Sequence, residues 1–288
     1  MSDPGSPADP NSLRARSQRT LDAARRRHEE EPTLARTVWL GRVLGFRNRF
    51  DDAIAVFSEG VDRFPDSFEL LRQRGHRFIS TRRFAEGLAD LERAARLIEG
   101  LDYWVEPDGE DNELPVPRTS IQFNTYYHLG LAHYLLRNWE RAADAYRRCR
   151  DWVPADDYDG LTACADWHYM TLRRAGDEAG AARVLASVPH GLPDDAFVEG
   201  PSYYRRLRMY RGELAPDDLL NPGRGTQQIH NLETIYATQG YGVGNWFLYN
   251  GDTARARAVF ERILEGRSTG AFGYIAAELD LAEMNAEN

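Results

Sequence analysis

Tyr126 to Pro154 reads YYHLGLAHYLLRNWERAADAYRRCRDWVP, and two helical patterns meet in it at a short polar break, Arg137-Asn138. The first pattern sets Tyr126, Leu129, Gly130, His133 and Tyr134 on one stripe. The second sets Trp139, Ala142, Ala143, Tyr146 and Cys149 on another, at steps of three and four residues. Gly130 and Ala142 stand where two antiparallel helices must approach closely, and Trp139 and Tyr146 supply bulk around them. One such hairpin cannot bury both of its apolar faces, so it must stack on further hairpins.

The rest of the chain supplies them. Counting from Gly41, Phe50 follows nine residues later, Ala53 twelve, Phe57 sixteen, Gly60 nineteen and Pro65 twenty-four. Thirty-four residues on, Gly75, Phe84, Gly87, Leu91 and Ala94 stand at the same offsets. Gly130 restarts the count with Trp139, Ala142, Tyr146, Cys149 and Pro154. Two later units are weaker. Gly176-Asp177, Ala181, Leu185 and Val188 keep the pattern with Tyr169 in the glycine place, and Gly244, Gly251-Asp252, Ala256 and Phe260 keep it with Thr253 replacing the aromatic. Between them, Tyr203 to Arg211 predicts one helix, with a degenerate second one after Pro216.

Paired small residues, an aromatic opening the second helix and a closing proline resemble the tetratricopeptide repeat family over roughly residues 34 to 267. The resemblance implies an all-α, right-handed α-solenoid of five to six antiparallel helix hairpins with capping helices at both ends. One domain over 12–288 is expected, behind a disordered tail at 1–11 rich in Pro, Ser, Asp and Gly. Ser12 can cap a first helix to about Glu30, and Gly270 to Met284 predicts the closing one. The stretch 102–122 breaks the period by 21 residues and carries Glu106, Asp108, Glu110, Asp111, Glu113 and three prolines, so it reads as an acidic inserted loop, solvated or lying over a groove.

Composition narrows the function. With 42% apolar residues and six Trp, the 288-residue chain can build a large core, and a net charge of −9 argues against nucleic-acid binding. All 36 basic residues are arginine, whose planar fork grips carboxylates in bidentate fashion. Cys149 and Cys164 stand in no metal-ligand spacing, and no metal or other cofactor is expected. No apolar run of about 18 residues is present, and the N-terminus lacks the pattern of a secretion signal, so a soluble cytoplasmic protein is expected. Gly240, Gly242 and Gly244 form no phosphate loop, since no strand precedes them and no Lys-Ser/Thr follows.

In a stack of hairpins the first helix of each pair lines a concave groove. Residues beside the packing glycine then face it: Arg42, Arg72 and His76 early in the array, Tyr127 and Tyr134 in the middle. Arg173, Arg206, Asn245 and Tyr249 follow toward the end. The mixture suits an extended protein or peptide partner rich in carboxylates, held by a scaffold rather than transformed by it. Two rivals remain: an enzyme or small-ligand pocket under the inserted loop using His133, His168 or Asp166, and a self-associating array. His128 and His133 are five apart on one helix, about 140° apart in direction, which is poor geometry for a shared metal.

Overall fold

The computed structural model describes residues 13–106, 119–220 and 232–286. The expected tail at 1–11, the cap at Ser12 and the middle of the inserted loop lie outside them. The described residues form fourteen α-helices, with no strand beyond an isolated bridge between Val105 and Ser120. Helix α1 (Leu13–Glu30) caps the array. Six pairs follow: α2 (Leu34–Phe46) with α3 (Phe50–Arg63), α4 (Phe68–Ser80) with α5 (Phe84–Leu97), and α6 (Ile121–Leu135) with α7 (Trp139–Asp151). Then come α8 (Tyr158–Ala175) with α9 (Glu178–Ala186), α10 (Ser202–Tyr210) with the short α11 (Pro216–Leu220), and α12 (Leu232–Tyr249) with α13 (Thr253–Leu264). Helix α14 (Phe272–Ala286) closes the chain.

The 34-residue beat has a steric origin. A Cβ at Gly41 would lie 2.2 Å from the Phe57 ring, one at Gly130 2.8 Å from Tyr146, and one at Gly244 2.5 Å from Phe260. Sixteen residues separate the members of each pair, which fixes how the two helices of a hairpin cross. A second beat lies in the turns. Asn48, Arg82 and Arg137 adopt φ of 56, 63 and 61°, and Gly176 and Gly251 follow at 79 and 85°. Each stands two residues before its second helix and reverses the chain in the left-handed region, which costs a non-glycine residue roughly 1 kcal/mol. Thr33 and Ser67 cap their helices by accepting from Arg36 and Leu70 N–H groups.

Tyr169, in the glycine place of the fourth pair, stacks instead on Tyr210 of α10 at 4.4 Å between centroids. The pairs α2/α3 and α4/α5 share one core with α1, and a larger core runs from α4 to α14. The last hairpin and closing helix do not simply extend the stack. Helix α12 packs on α8 and α10 and sends Tyr241 to Trp167 and Tyr134, while α14 lies on α12 and α13 and places Phe272 against His76, Tyr127 and His128. The array curls over its own inner face.

Candidate functional site

That curl decides where the expected groove residues stand. Arg72, Tyr127, Tyr134, Arg206 and Asn245 are buried. Burial leaves these five no open trough to line, and α12 and α14 pack over part of that face. Many of their polar groups are paired within the fold, although Arg72 Nε, Arg206 Nε and Asn245 Nδ2 are buried without a partner. Arg206 gives Nη2 to Asp166 Oδ2 and Nη1 to the Thr238 carbonyl, both at 2.5 Å. The Tyr134 hydroxyl meets the Tyr241 hydroxyl at 2.6 Å, and Tyr241 donates to Asp280 Oδ2 at 2.9 Å. Tyr127 meets the Tyr203 hydroxyl at 3.2 Å, and Asn245 Oδ1 accepts from Arg174 at 3.1 Å. Arg173 lies 4.5 Å over the half-buried Tyr249 ring and donates to Tyr169 and Asn250.

The carboxylates these arginines suit are the chain's own. Asp280 of α14, 1% exposed, accepts from Arg137 at 2.7 Å and Arg174 at 3.1 Å. Glu283 accepts from Arg137 at 2.7 Å, and Glu278 from Arg82 at 2.8 Å. Arg82 and Arg137 are the two arginines at the strained turn position, so the turns of the second and third pairs are tied to the closing helix. Glu106, from the start of the inserted loop, enters the interior beside α4. Arg72, Gln73 and Asn124 donate to it, and Arg42 lies 3.8 Å away. Burial alone would raise its pKa, but Arg72 and Arg42 overcome that and hold it below the ordinary value. A carboxylate in an acidic, proline-rich stretch reads as solvated; the only contrary signal was its place directly after Tyr103, Trp104 and Val105.

Two openings remain that bear on function. One is a cavity of about 240 Å³ inside the curl, lined by His76, Trp167, Tyr203, Arg206, Ile235 and Phe272 among others. The other is a cleft of about 450 Å³ between α2, α4 and Leu101–Glu106. Leu34, Val38, Trp39, Trp104 and Ile121 form its walls, and Arg42, Glu69 and Glu106 its polar edge. Trp104 and Tyr103 are each 43% exposed and Val105 41%, in a row with the exposed Leu101. The Trp104 ring rests edge-on against Phe68 at 5.1 Å, and its carbonyl accepts from Ile121 N–H.

The residues weighed for an acid–base or metal site are not brought together. His133 faces Glu92 at 4.0 Å on one surface, His168 lines a separate cleft with Cys164, and Asp166 is held by Arg206 and Tyr210. Among the described residues no three His, Cys, Asp or Glu are grouped to hold a metal ion, and no helix is long and apolar enough to cross a membrane.

Stacked helical hairpins with glycine–aromatic contacts at a fixed spacing define an α-solenoid of the helical-repeat class. The model of the tetratricopeptide repeat family matches residues 125–151, the α6–α7 hairpin. A tetratricopeptide repeat protein from Parabacteroides merdae ATCC 43184 superposes with a TM-score of 0.53 at 13% identity, over 92% of this chain and 93% of that one. YrrB, described as a TPR protein with an unusual peptide-binding site, aligns over 93% of this chain and 100% of its own at 12% identity and a TM-score of 0.46. No curated protein matches. The chain folds as a tetratricopeptide-type helical repeat, and its α6–α7 hairpin is similar to the repeat of that family.

Proposed function

We propose that the chain is a protein-interaction scaffold that receives an apolar segment of a protein partner in the cleft between α2, α4 and Leu101–Glu106. The observation that carries this reading is the run of exposed large side chains, Leu101 and Tyr103 to Val105, beside an apolar cleft walled by Trp39 and Trp104. Contiguous exposed apolar surface on a folded protein marks interaction sites, and Trp and Tyr dominate the energetics of protein interfaces. A carboxylate-rich peptide along the inner face is no longer the favoured partner, because Asp166, Asp280 and Glu106 already occupy the arginines that would hold it.

The test is affinity capture from native extract by the full chain and by Trp104→Ala. Trp104 is 43% exposed, so the variant should melt within a few degrees of the parent while retention of the partner falls at least tenfold, roughly the 1.4 kcal/mol or more of a buried aromatic anchor. Undiminished capture by the folded variant would refute this docking surface. A chain that elutes as a dimer, and as a monomer when Trp104 is replaced, would assign the cleft to a second copy.

A further inference from the structure

The cleft that His168 and Cys164 line, between α7, α8 and α9, has a volume of about 390 Å³ and is walled by arginine. Arg147 and Arg150 stand on the α7 side and Arg183 on the α9 side, over a floor that includes Ala165 and Leu172 of α8. All three arginines are exposed. We propose that this cleft docks a carboxylate-rich segment of a protein partner, gripped by arginines from both sides.

The repeat register shows how this cleft differs from the one before it. Arg147 lies 17 residues after Gly130, and the residue 17 after Gly75 is Glu92. Arg183 lies 14 after Tyr169, which stands in the glycine place, and the residue 14 after Gly130 is Asp144. Glu92 and Asp144 line the matching cleft between α5, α6 and α7, so two acids on facing walls give way to arginine one repeat later. In the earlier cleft the guanidiniums are answered from within the chain. Arg141 lies 3.8 Å from Glu92, and Arg148 lies 3.7 Å from Glu99 and 3.3 Å from Asp144. In the later one, Arg150 and Arg183 form no ion pair and no side-chain hydrogen bond among the described residues. Arg147 meets Asp144 at 2.7 Å, but both side chains are more than half exposed, and such a pair contributes little and parts readily.

Two acids share the lining. Asp177 answers the start of α9 by accepting from Gly180 N–H at 2.8 Å, and Asp151 is exposed at the end of α7. Burial first and Arg147 second push the His168 pKa down to about 4, so its ring is neutral at neutral pH. Three arginines against two aspartates leave the lining net positive, whereas Arg96, Arg141 and Arg148 meet four acids in the earlier cleft. On a chain of net charge −9, that local excess selects the partner. A nucleic acid carries its charge along a backbone that would run on past the arginines against a net negative molecule, while a short acidic segment of protein can end where they do. One isolated anion at exposed arginines would keep most of its water. Several carboxylates on one chain engage the guanidiniums together, which is how arginine clusters read acidic motifs.

Binding here would be independent of the cleft at Trp104. Fluorescence anisotropy of the full chain at low ionic strength would use a labelled peptide of alternating Glu and Ser, its counterpart of alternating Gln and Ser, and a labelled strand of deoxythymidines. The Glu-Ser peptide should bind one to one, and the Gln-Ser peptide more weakly by roughly tenfold or more. Replacing the two unpaired arginines, Arg150→Glu with Arg183→Glu, should lower that affinity roughly tenfold or more. The melting midpoint should stay within a few degrees of the parent, because neither side chain holds a contact. Arg96→Glu with Arg141→Glu changes the net charge by the same amount in the earlier cleft and should lower the affinity by less than about threefold, and Trp104→Ala should leave it unchanged. No binding of the Glu-Ser peptide, equal binding of the Gln-Ser peptide, equal losses in the two double variants, a comparable loss in Trp104→Ala, or tighter binding of the deoxythymidine strand would each overturn it.

Discussion

The interior histidines show how strongly single residues feel the closure. His128, buried with Nδ1 2.6 Å from the Asn124 carbonyl, has its pKa pushed down to about 3, first by burial and then by Arg72. The His76 ring lies tilted beside it at 4.2 Å and is likewise held well below its ordinary value by burial and by Arg77. Both rings stay neutral in the folded chain while the unfolded chain protonates near pH 6.5. Between pH 6.5 and about 3 the unfolded state therefore binds a proton at His128 that the native state refuses. Stability is present above that window and is lost as pH falls through it, by about 1.4 kcal/mol per pH unit for one such group. Urea unfolding at pH 7 and pH 5 should show His128→Gln losing about 2 kcal/mol less than the parent on acidification. Equal losses would mean that His128 is already protonated in the fold.

At the scale of elements, the hairpins are built on a glycine packed against a bulky side chain sixteen residues later, aromatic in Phe57, Tyr146 and Phe260 and aliphatic in Leu91. The ring carbons of Tyr146 lie 2.8 to 2.9 Å from where a Cβ on Gly130 would be, and Tyr146 is fully buried with no room to retreat. Gly130→Val should therefore cost about 1–3 kcal/mol by overpacking, seen as a lower denaturant midpoint at unchanged slope. A variant as stable as the parent would show that α6 and α7 can part freely. These contacts were legible in the sequence because packing between neighbours in a repeat is local and recurs at a fixed spacing. The left-handed turn residues recur too, but Arg82 and Arg137 conceal them, since arginine carries none of the turn signal of Asn48 or Gly176. Helical periodicity shows which face of α4, α6 or α10 is apolar, but not what covers it. The partner of Arg206 lies 40 residues away, and those of Arg137 lie 143 and 146 away, distances at which periodicity is silent.

For the whole molecule the consequence is that the array is bound to itself across its inner face. Helix α14 brings Ile275, Ala276 and Ala277 into the core and sets three carboxylates, Glu278, Asp280 and Glu283, against Arg82, Arg137 and Arg174 on three different hairpins. An open solenoid loses only its last interface when a terminal helix is removed, because each unit touches only its neighbours. A closed one loses its clasp. Ending the chain after Gly270 would remove Phe272, Ile275 and Met284 and uncover the apolar surface they pack on, at about 1.5–3 kcal/mol for each fully buried side chain lost, and would leave Arg137, Arg174 and Tyr241 without Asp280. The sum approaches the stability of a typical domain, so the melting midpoint should fall by roughly 10 °C or more. Because the arginines would then face an open trough, a synthetic peptide of residues 271–286 should restore the midpoint. The same peptide carrying Asp280→Asn and Glu283→Gln should restore less of it, and the difference should shrink as salt screens the partly exposed Arg137–Glu283 pair. A truncated chain that melts with the parent, or two peptides that rescue it equally well, would show that α14 merely rests on the array.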